Sequence, residues 1–318
     1  MPTSAPKSPG QLERTLRAGH FAVTAETSPT ATTDPAPLVE RCRPLRGVAD
    51  AVNVTDGATA KAHLSSLVVA GALAKAGIEP VLQFTVRDRN RIALQGDLLG
   101  AAALGVPNIL ALTGDDPKRG EEPDAKPVND MTSTALIALA KKLRDEGKLN
   151  SGREIAGPPR LFLGAADAPM DPKPEWKPDS LLGKIAAGAD FVQTQYCFDL
   201  AMLRRYIARL AEHGIPQQVF ILVGIGPLAS AKQARWMHEN LWGVSIPEPI
   251  IKRLDGAADQ KSEGRKICAE LIQELATIRG VAGAHLMAPR QEAEMAAAIE
   301  LSGVLQRRGA RAAAAGRA

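Results

Sequence analysis

The sequence predicts an α/β protein of one domain, a (β/α)8 TIM barrel, on three observations. Eight short apolar runs alternate with helical stretches along 318 residues, and such alternation implies a parallel sheet, with eight units suggesting a closed barrel. The first strand-to-helix turn, ETSPTATT, lacks the Gly-rich fingerprint that an open dinucleotide-binding sheet usually carries. Gly224 and Gly226 (GIG) come late and lack a third glycine. Polar residues also collect at the strand C-termini: Glu26, Thr55 with Asp56, Thr85 with Arg87 and Asp88, Asp115, Asp167, and Gln193 with Gln195. That is the face on which barrels build their sites.

Each element follows from local pattern. Residues 21–26 (FAVTAE) read as the first strand, before the turn-rich TSPTATTDPAP. A helix with Leu38, Cys42 and Leu45 on one face leads into 51–55 (AVNVT), and helix 62–76 into 80–86 (PVLQFTV). Helix 92–104 precedes NILALTGDDPKRG at 108–120, whose apolar half is a buried strand. Gly114 allows a tight turn there and Pro117 ends the strand. Asp115 or Asp116 then either faces a ligand or caps the next helix. Helix 133–146 precedes strand 160–165 (RLFLGA), helix 180–188 precedes 191–195 (FVQTQ), and helix 200–214 precedes 219–225 (VFILVGI). A longer, irregular helical stretch leads to 283–287 (GAHLM). Residues 1–16 are expected to form a flexible N-terminal segment, 17–305 the barrel, and 306–318 a disordered basic tail.

Composition narrows the function. Apolar residues make up 45% of the chain but aromatics only 3%, so Ala, Val, Leu and Ile must fill the core. The net charge of +4 is concentrated in the tail RRGARAAAAGRA. A basic surface interleaved with aromatics is missing, which argues against a nucleic-acid partner. No run approaches the roughly 20 apolar residues of a membrane span, and MPTSAPKSPG lacks the apolar core of a secretory leader. Cys42, Cys197 and Cys268 lie far apart, and the five histidines form no ligand motif. These features predict a cytoplasmic, reduced protein without a metal.

The rim residues lack a nucleophile with a paired base. They supply a carboxylate on the first strand, another on the fourth and amides on the sixth. That set suits protonation and orientation of an organic ring, with a cofactor providing the harder chemistry.

The segment QFTVRDRNRIALQGDLLGAAALGVPNILALTGDDPKRG at 83–120 resembles the methylenetetrahydrofolate reductase family of flavin-dependent (β/α)8 barrels. AETSP, RDRN, TGDDP and the GAD…TQ…FD element stand in family order, from FAVTAE near residue 21 to AEM near Met295. The resemblance implies an oxidoreductase of one-carbon metabolism and methionine biosynthesis. It would reduce 5,10-methylenetetrahydrofolate to 5-methyltetrahydrofolate by hydride from reduced FAD, with NADH, NADPH or an electron-donor protein upstream. It makes Glu26 the general acid, Asp115 a catalytic residue touching pterin and flavin, and Gln195 a pterin contact. Arg290 becomes a candidate clamp for the glutamate tail of the folate. Thr55, Gln83, Arg87, Gly114, Asp115, Ala165 and Lys184 fall on cofactor positions. Asp88, Arg89 and Arg91, alternating in sign, are expected to be structural. Departures accompany the match: Gln83 replaces a histidine, Ala165 and Val128 replace tyrosines, and Ala231 replaces a phenylalanine that helps hold donor or folate. Trp236 could refill that space, although a core position is expected for it. Two alternatives stand beside the reductase: a flavin-independent NAD(P)H-linked enzyme on the same folate, or a non-catalytic pterin-binding barrel subunit. Association into a homo-oligomer is left open by the sequence.

Overall fold

Eight parallel strands close on themselves in sequence order, each paired with its chain neighbours and the last with the first. The fold is that of a computed structural model describing residues 5–306 and 308. Helix α1 (Gln11–Arg17) precedes β1 (Ala22–Thr27); α2 (Ala36–Cys42), β2 (Ala51–Val54), α3 (Ser66–Lys75), β3 (Pro80–Thr85), α4 (Arg91–Ala103) and β4 (Asn108–Leu112) complete the first half. The second half comprises α5 (Ser133–Asp145), β5 (Phe162–Asp167), α6 (Asp179–Ala187), β6 (Phe191–Tyr196), α7 (Leu200–Glu212) and β7 (Phe220–Ile225). Three helices follow, α8 (Ala231–Asn240), α9 (Glu248–Asp255) and α10 (Gln260–Leu275), and then β8 (Gly283–Leu286) and α11 (Glu292–Ser302). Helix starts are marked by side-chain caps: Asn90, Thr132, Asp199, Ser230 and Asp259 each accept a backbone N–H of the first turn.

Side chains alternate across each strand, and closure sends every second one to the barrel axis. Toward the N-terminal end the axis is apolar, packed by Ala22, Ala51, Val81, Leu110, Phe162, Phe191, Phe220 and Leu222. The Phe162 and Phe191 rings stack at 5.0 Å between centroids. Gly164 makes room for them, since a Cβ there would come within 2.4 Å of the Phe191 ring. The intervening residues face outward into a larger core between sheet and helices. Leu38, Cys42 and Leu45 all lie in that outer core, on the predicted face.

The N-terminal segment departs from expectation. Residues 11–16 are not free chain: α1 seats Leu12 and Leu16 into the apolar end of the barrel, both fully buried. The Glu79 carboxylate accepts the first free N–H groups of α1, including that of Leu12 at 2.9 Å. Arg308, within the expected tail, is also held. Its guanidinium meets the buried Asp50 carboxylate at 2.7 and 2.9 Å and the Phe21 carbonyl at 2.9 Å. Residues 1–4, 307 and 309–318 of these two predicted segments lie outside the described residues.

Removing the Leu16 side chain opens a cavity in the cluster that α1 forms with the apolar end of the barrel. Leu16→Ala is therefore expected to cost about 2–5 kcal/mol, measured as a lowered urea midpoint at unchanged slope. An unshifted midpoint would mean that α1 contributes nothing to closing the barrel.

Candidate active site

At the C-terminal end the axis turns polar. Thr24, Asn53, Gln193 and His285 form a buried layer from β1, β2, β6 and β8. Asn53 and Gln193 exchange reciprocal amide hydrogen bonds across the barrel, at 2.6 and 3.0 Å. Gln193 Nε2 also donates to Thr24 Oγ1 at 2.9 Å. The Thr24 hydroxyl proton is thereby left for His285 Nδ1, 2.9 Å away. This donor order puts the imidazole proton on Nε2, which points at Glu26 Oε2 from 3.8 Å.

Glu26 stands one inward step above Thr24. Its Oε2 accepts Gln83 Nε2 at 2.7 Å, and its Oε1 has no partner among the described residues. Both residues open into a rim cavity of about 550 Å³ whose wall also includes Leu110, Leu112, Ala166, Lys184, Gln195, Trp242 and Met287. Gln195 turns its Oε1 onto the Tyr196 N–H at 2.9 Å, which leaves the amide N–H donors for a ligand. Lys184, on α6, donates to the Ala166 carbonyl at 2.7 Å and retains two further donors. Asp167 also lines the cavity, but its carboxylate is engaged by the Tyr206 hydroxyl.

The predicted residues separate into three groups. Glu26, Gln83, Gln195 and Lys184 meet at the cavity. Thr55, Gly114, Asp115 and Arg87 lie beside it and do not line it, and Arg87 bonds the Asp115 carbonyl. Arg87 donates to the carbonyls of Gly57 and Asp115 at 3.2 and 3.0 Å and forks onto Asp88, so its guanidinium ties the rim loops together and does not line the cavity. Asp115 is exposed, and its carboxylate accepts the Thr59 N–H at 2.6 Å. It therefore secures the turn at residues 57–60, where Thr59 and Ala60 both adopt left-handed backbone, and does not line the cavity. The capping alternative falls to its neighbour Asp116, which accepts Lys118 N. Gly114 needs its positive φ of 94°, and a Cβ there would crowd Arg87 and Thr85. Thr55 Oγ1 is buried without a partner.

Ala165 and Arg290 fall outside the site altogether. Ala165 sits on the outward parity of β5, fully buried against the helices, and Ala166 takes the inward place. Arg290 lines a separate shallow surface with Arg41 and Glu292, because its backbone turns away from the axis after β8. Trp236 is 55% exposed and not a core residue, since the inner face of α8 is made by Ala231, Ala234 and Met237. Sequence reasoning missed His285, Met287 and Trp242. Alternation along GAHLM was the signal for the first two.

Burial pushes the Cys42 thiol up to about 11 and Cys197 up to about 12, and raises Cys268 as well, so no thiolate is available. Among the described residues no group of three or more His, Cys, Asp or Glu could hold a metal ion, and no helix is long and apolar enough to cross a membrane.

A family model described as methylenetetrahydrofolate reductase matches residues 11–303. The chain is 30% identical over 216 residues to methylenetetrahydrofolate reductase 2 of Saccharomyces cerevisiae, a match covering 67% of this chain and 34% of that protein. It is 26% identical over 204 residues to the 5,10-methylenetetrahydrofolate reductase of Pectobacterium carotovorum, covering 64% and 62%. The Escherichia coli protein of that name is 26% identical over 252 residues, 78% of each chain. The chain thus spans about a third of the yeast relative and under two thirds of the Pectobacterium one. Among solved structures, a Clostridium thermocellum protein described as binding two copies of 5-methyl-5,6,7,8-tetrahydrofolic acid superposes with a TM-score of 0.57. It is 15% identical, with coverage of 93% of this chain and 99% of that one. At that identity the likeness shows the fold.

The rim loops are anchored by Asp56, whose carboxylate accepts from Arg89, Ser66 and Thr85. Burial pushes this carboxyl up, but the Arg89 ion pair and the other donors outweigh burial and hold it below its ordinary 3.8. A lowered folded value means stabilisation that is complete above the unfolded value and fades as pH falls through the folded one. Asp56→Asn should therefore cost about 3–5 kcal/mol at neutral pH, with the gap to the parent narrowing below the ordinary carboxylate range. Urea unfolding across pH tests this, and a gap that is constant with pH would remove the ion pair from the account.

Proposed function

The chain belongs to the methylenetetrahydrofolate reductase family, and from that premise we propose that it reduces 5,10-methylenetetrahydrofolate to 5-methyltetrahydrofolate. One observation carries the reading: Glu26 presents an unpartnered carboxyl oxygen to a ring-sized cavity lined by an amide, with its other oxygen fixed by Gln83. Reduction at the bridging carbon requires the five-membered ring of the substrate to open, and opening requires a proton on the departing nitrogen. Glu26 Oε1 is the group that delivers it. Gln83 and His285 fix the orientation of the carboxyl, so the proton is aimed and not merely available. The free Gln195 N–H groups orient the pterin through its ring acceptors, and Leu110, Leu112 and Met287 supply apolar lining that excludes water.

The cofactor reading is tested by what the site leaves unused. Thr55 Oγ1 is a buried hydroxyl without a partner, and Lys184 has donors to spare at the cavity edge. The Lys184 donors fit a polar group of a flavin, and Lys184 is the residue that would hold it. Bound FAD would supply the hydride, with NADH or NADPH as its source. A yellow protein on purification supports this. Colourless protein that oxidises NAD(P)H with the folate would replace it with direct transfer, and colourless inert protein with a pterin-binding barrel. Lys184→Ala should lower flavin retention through loss of a charge-assisted contact worth about 1.5–3 kcal/mol, read as a weaker cofactor Kd. Unchanged affinity would take Lys184 out of the cofactor site.

Glu26→Gln keeps the shape and the contact with Gln83 but cannot give up a proton. Formation of 5-methyltetrahydrofolate should slow by about 10²–10⁴-fold, while the dissociation constant of the folate changes little. Stopped-flow traces separate the steps: donor oxidation in the absence of folate should proceed at the parental rate. A variant slowed equally in both steps would show that Glu26 only holds the site together.

A further inference from the structure

The cavity recognises its ligand with amides and a carboxylate, but flat rings also need a face to lie against. Ala231 is buried at the start of α8 and has no ring to offer. The needed face is present one helix further on. Trp242 is 81% exposed and lines the mouth of the cavity. Among the described lining residues it alone carries an indole or phenyl ring.

This exposure is built into the backbone. The Val244 N–H returns to the Leu241 carbonyl at 3.1 Å, closing a four-residue turn with Trp242 and Gly243 at its tip. Gly243 has φ of 74°, as the third position of a type II turn requires. Leu241 packs on the core and Val244 is buried within it, so both sides of the turn are pinned. No ring of the described residues stacks on the indole. A large apolar side chain is thus held at the solvent edge of the cavity by a fixed turn.

We propose that Trp242 is the stacking face for the folate pterin, closing the open side of the cavity against Glu26 and Gln195. The proposal rests on the folate reading above. Trp242 is a specificity-determining residue and takes no part in proton transfer. It favours flat, conjugated ligands, because the face of an indole gains most against another ring.

The experiment uses the intrinsic fluorescence of the full chain. Three tryptophans are present, so Trp176→Phe with Trp236→Phe leaves Trp242 as sole reporter. Titration of 5-methyltetrahydrofolate should quench that signal to saturation. In the parent background, Trp242→Ala should raise the calorimetric Kd of this ligand about tenfold and Trp242→Phe less than about threefold. The melting temperature should not move, because the ring is exposed. An unchanged Kd in Trp242→Ala, or an effect confined to the KM of the nicotinamide donor, would overturn the assignment. If the parent protein fails to bind 5-methyltetrahydrofolate in the calorimeter, the folate reading itself falls, and the proposal with it.

Discussion

The reciprocal amide pair between Asn53 and Gln193 is the contact around which the upper half of the barrel is arranged. It joins β2 to β6 across the axis, at the level where apolar filling stops. Two amides facing one another satisfy all but a few of their own donors and acceptors. A polar layer can therefore be buried here without the penalty of unmade hydrogen bonds. The remaining Gln193 donor reaches Thr24, and Thr24 in turn fixes His285. An apolar pair at this level would let the packing continue upward. The amide pair ends it, and the cavity begins above.

The barrel was legible because two periods coexist in the chain: alternation in eight short runs, and helical spacing between them. The same alternation identifies the inward residues, and Glu26, Gln83 and Gln195 sit on the expected face for that reason. Ala165 failed by one residue, which is a whole face in a strand; Ala166 is its inward neighbour. Arg87 and Asp115 were legible as rim residues but not in the contacts they make. Whether a charged side chain meets a ligand or a neighbouring loop depends on contacts such as Thr59 N to Asp115, formed between segments far apart in sequence. The plug helix was missed because a seven-residue segment with two leucines carries little periodic signal. Its partners are the strand starts it covers. Trp242 was missed because a lone tryptophan beside a glycine reads equally as core or surface.

The two ends of the barrel are held by different forces. At the N-terminal end, Asp50 and Asp190 precede β2 and β6, and each accepts a backbone N–H of the neighbouring strand, from Val23 and Leu163. Each then takes cations from outside the strands: Arg308 on Asp50, Lys7 and Arg144 on Asp190. With the α1 leucines beneath the axis, these contacts lock the end that carries no chemistry. The C-terminal loops are tied by Arg87, Arg89 and Asp56, all lateral to the cavity. Rigidity is thus supplied around the opening and not across it, which leaves the mouth free to admit a ligand.

The disposition of charge completes the argument for Glu26. Asp56 and Glu26 belong to adjacent strands and rise to the same rim. Asp56 is surrounded by a guanidinium, two hydroxyls and a backbone N–H, donors that all favour the anion, and it serves as an anchor. Glu26 is given one neutral amide and an imidazole 3.8 Å away, with no arginine or lysine bonded to it among the described residues. Lys184, the cation on the same cavity wall, is instead drawn to the Ala166 carbonyl. A carboxyl paired with a guanidinium is stabilised as the anion, whereas a neutral donor orients a carboxyl without adding a charge beside it. The separation of cations from Glu26 therefore sets it apart from the anchoring carboxylates of the same rim.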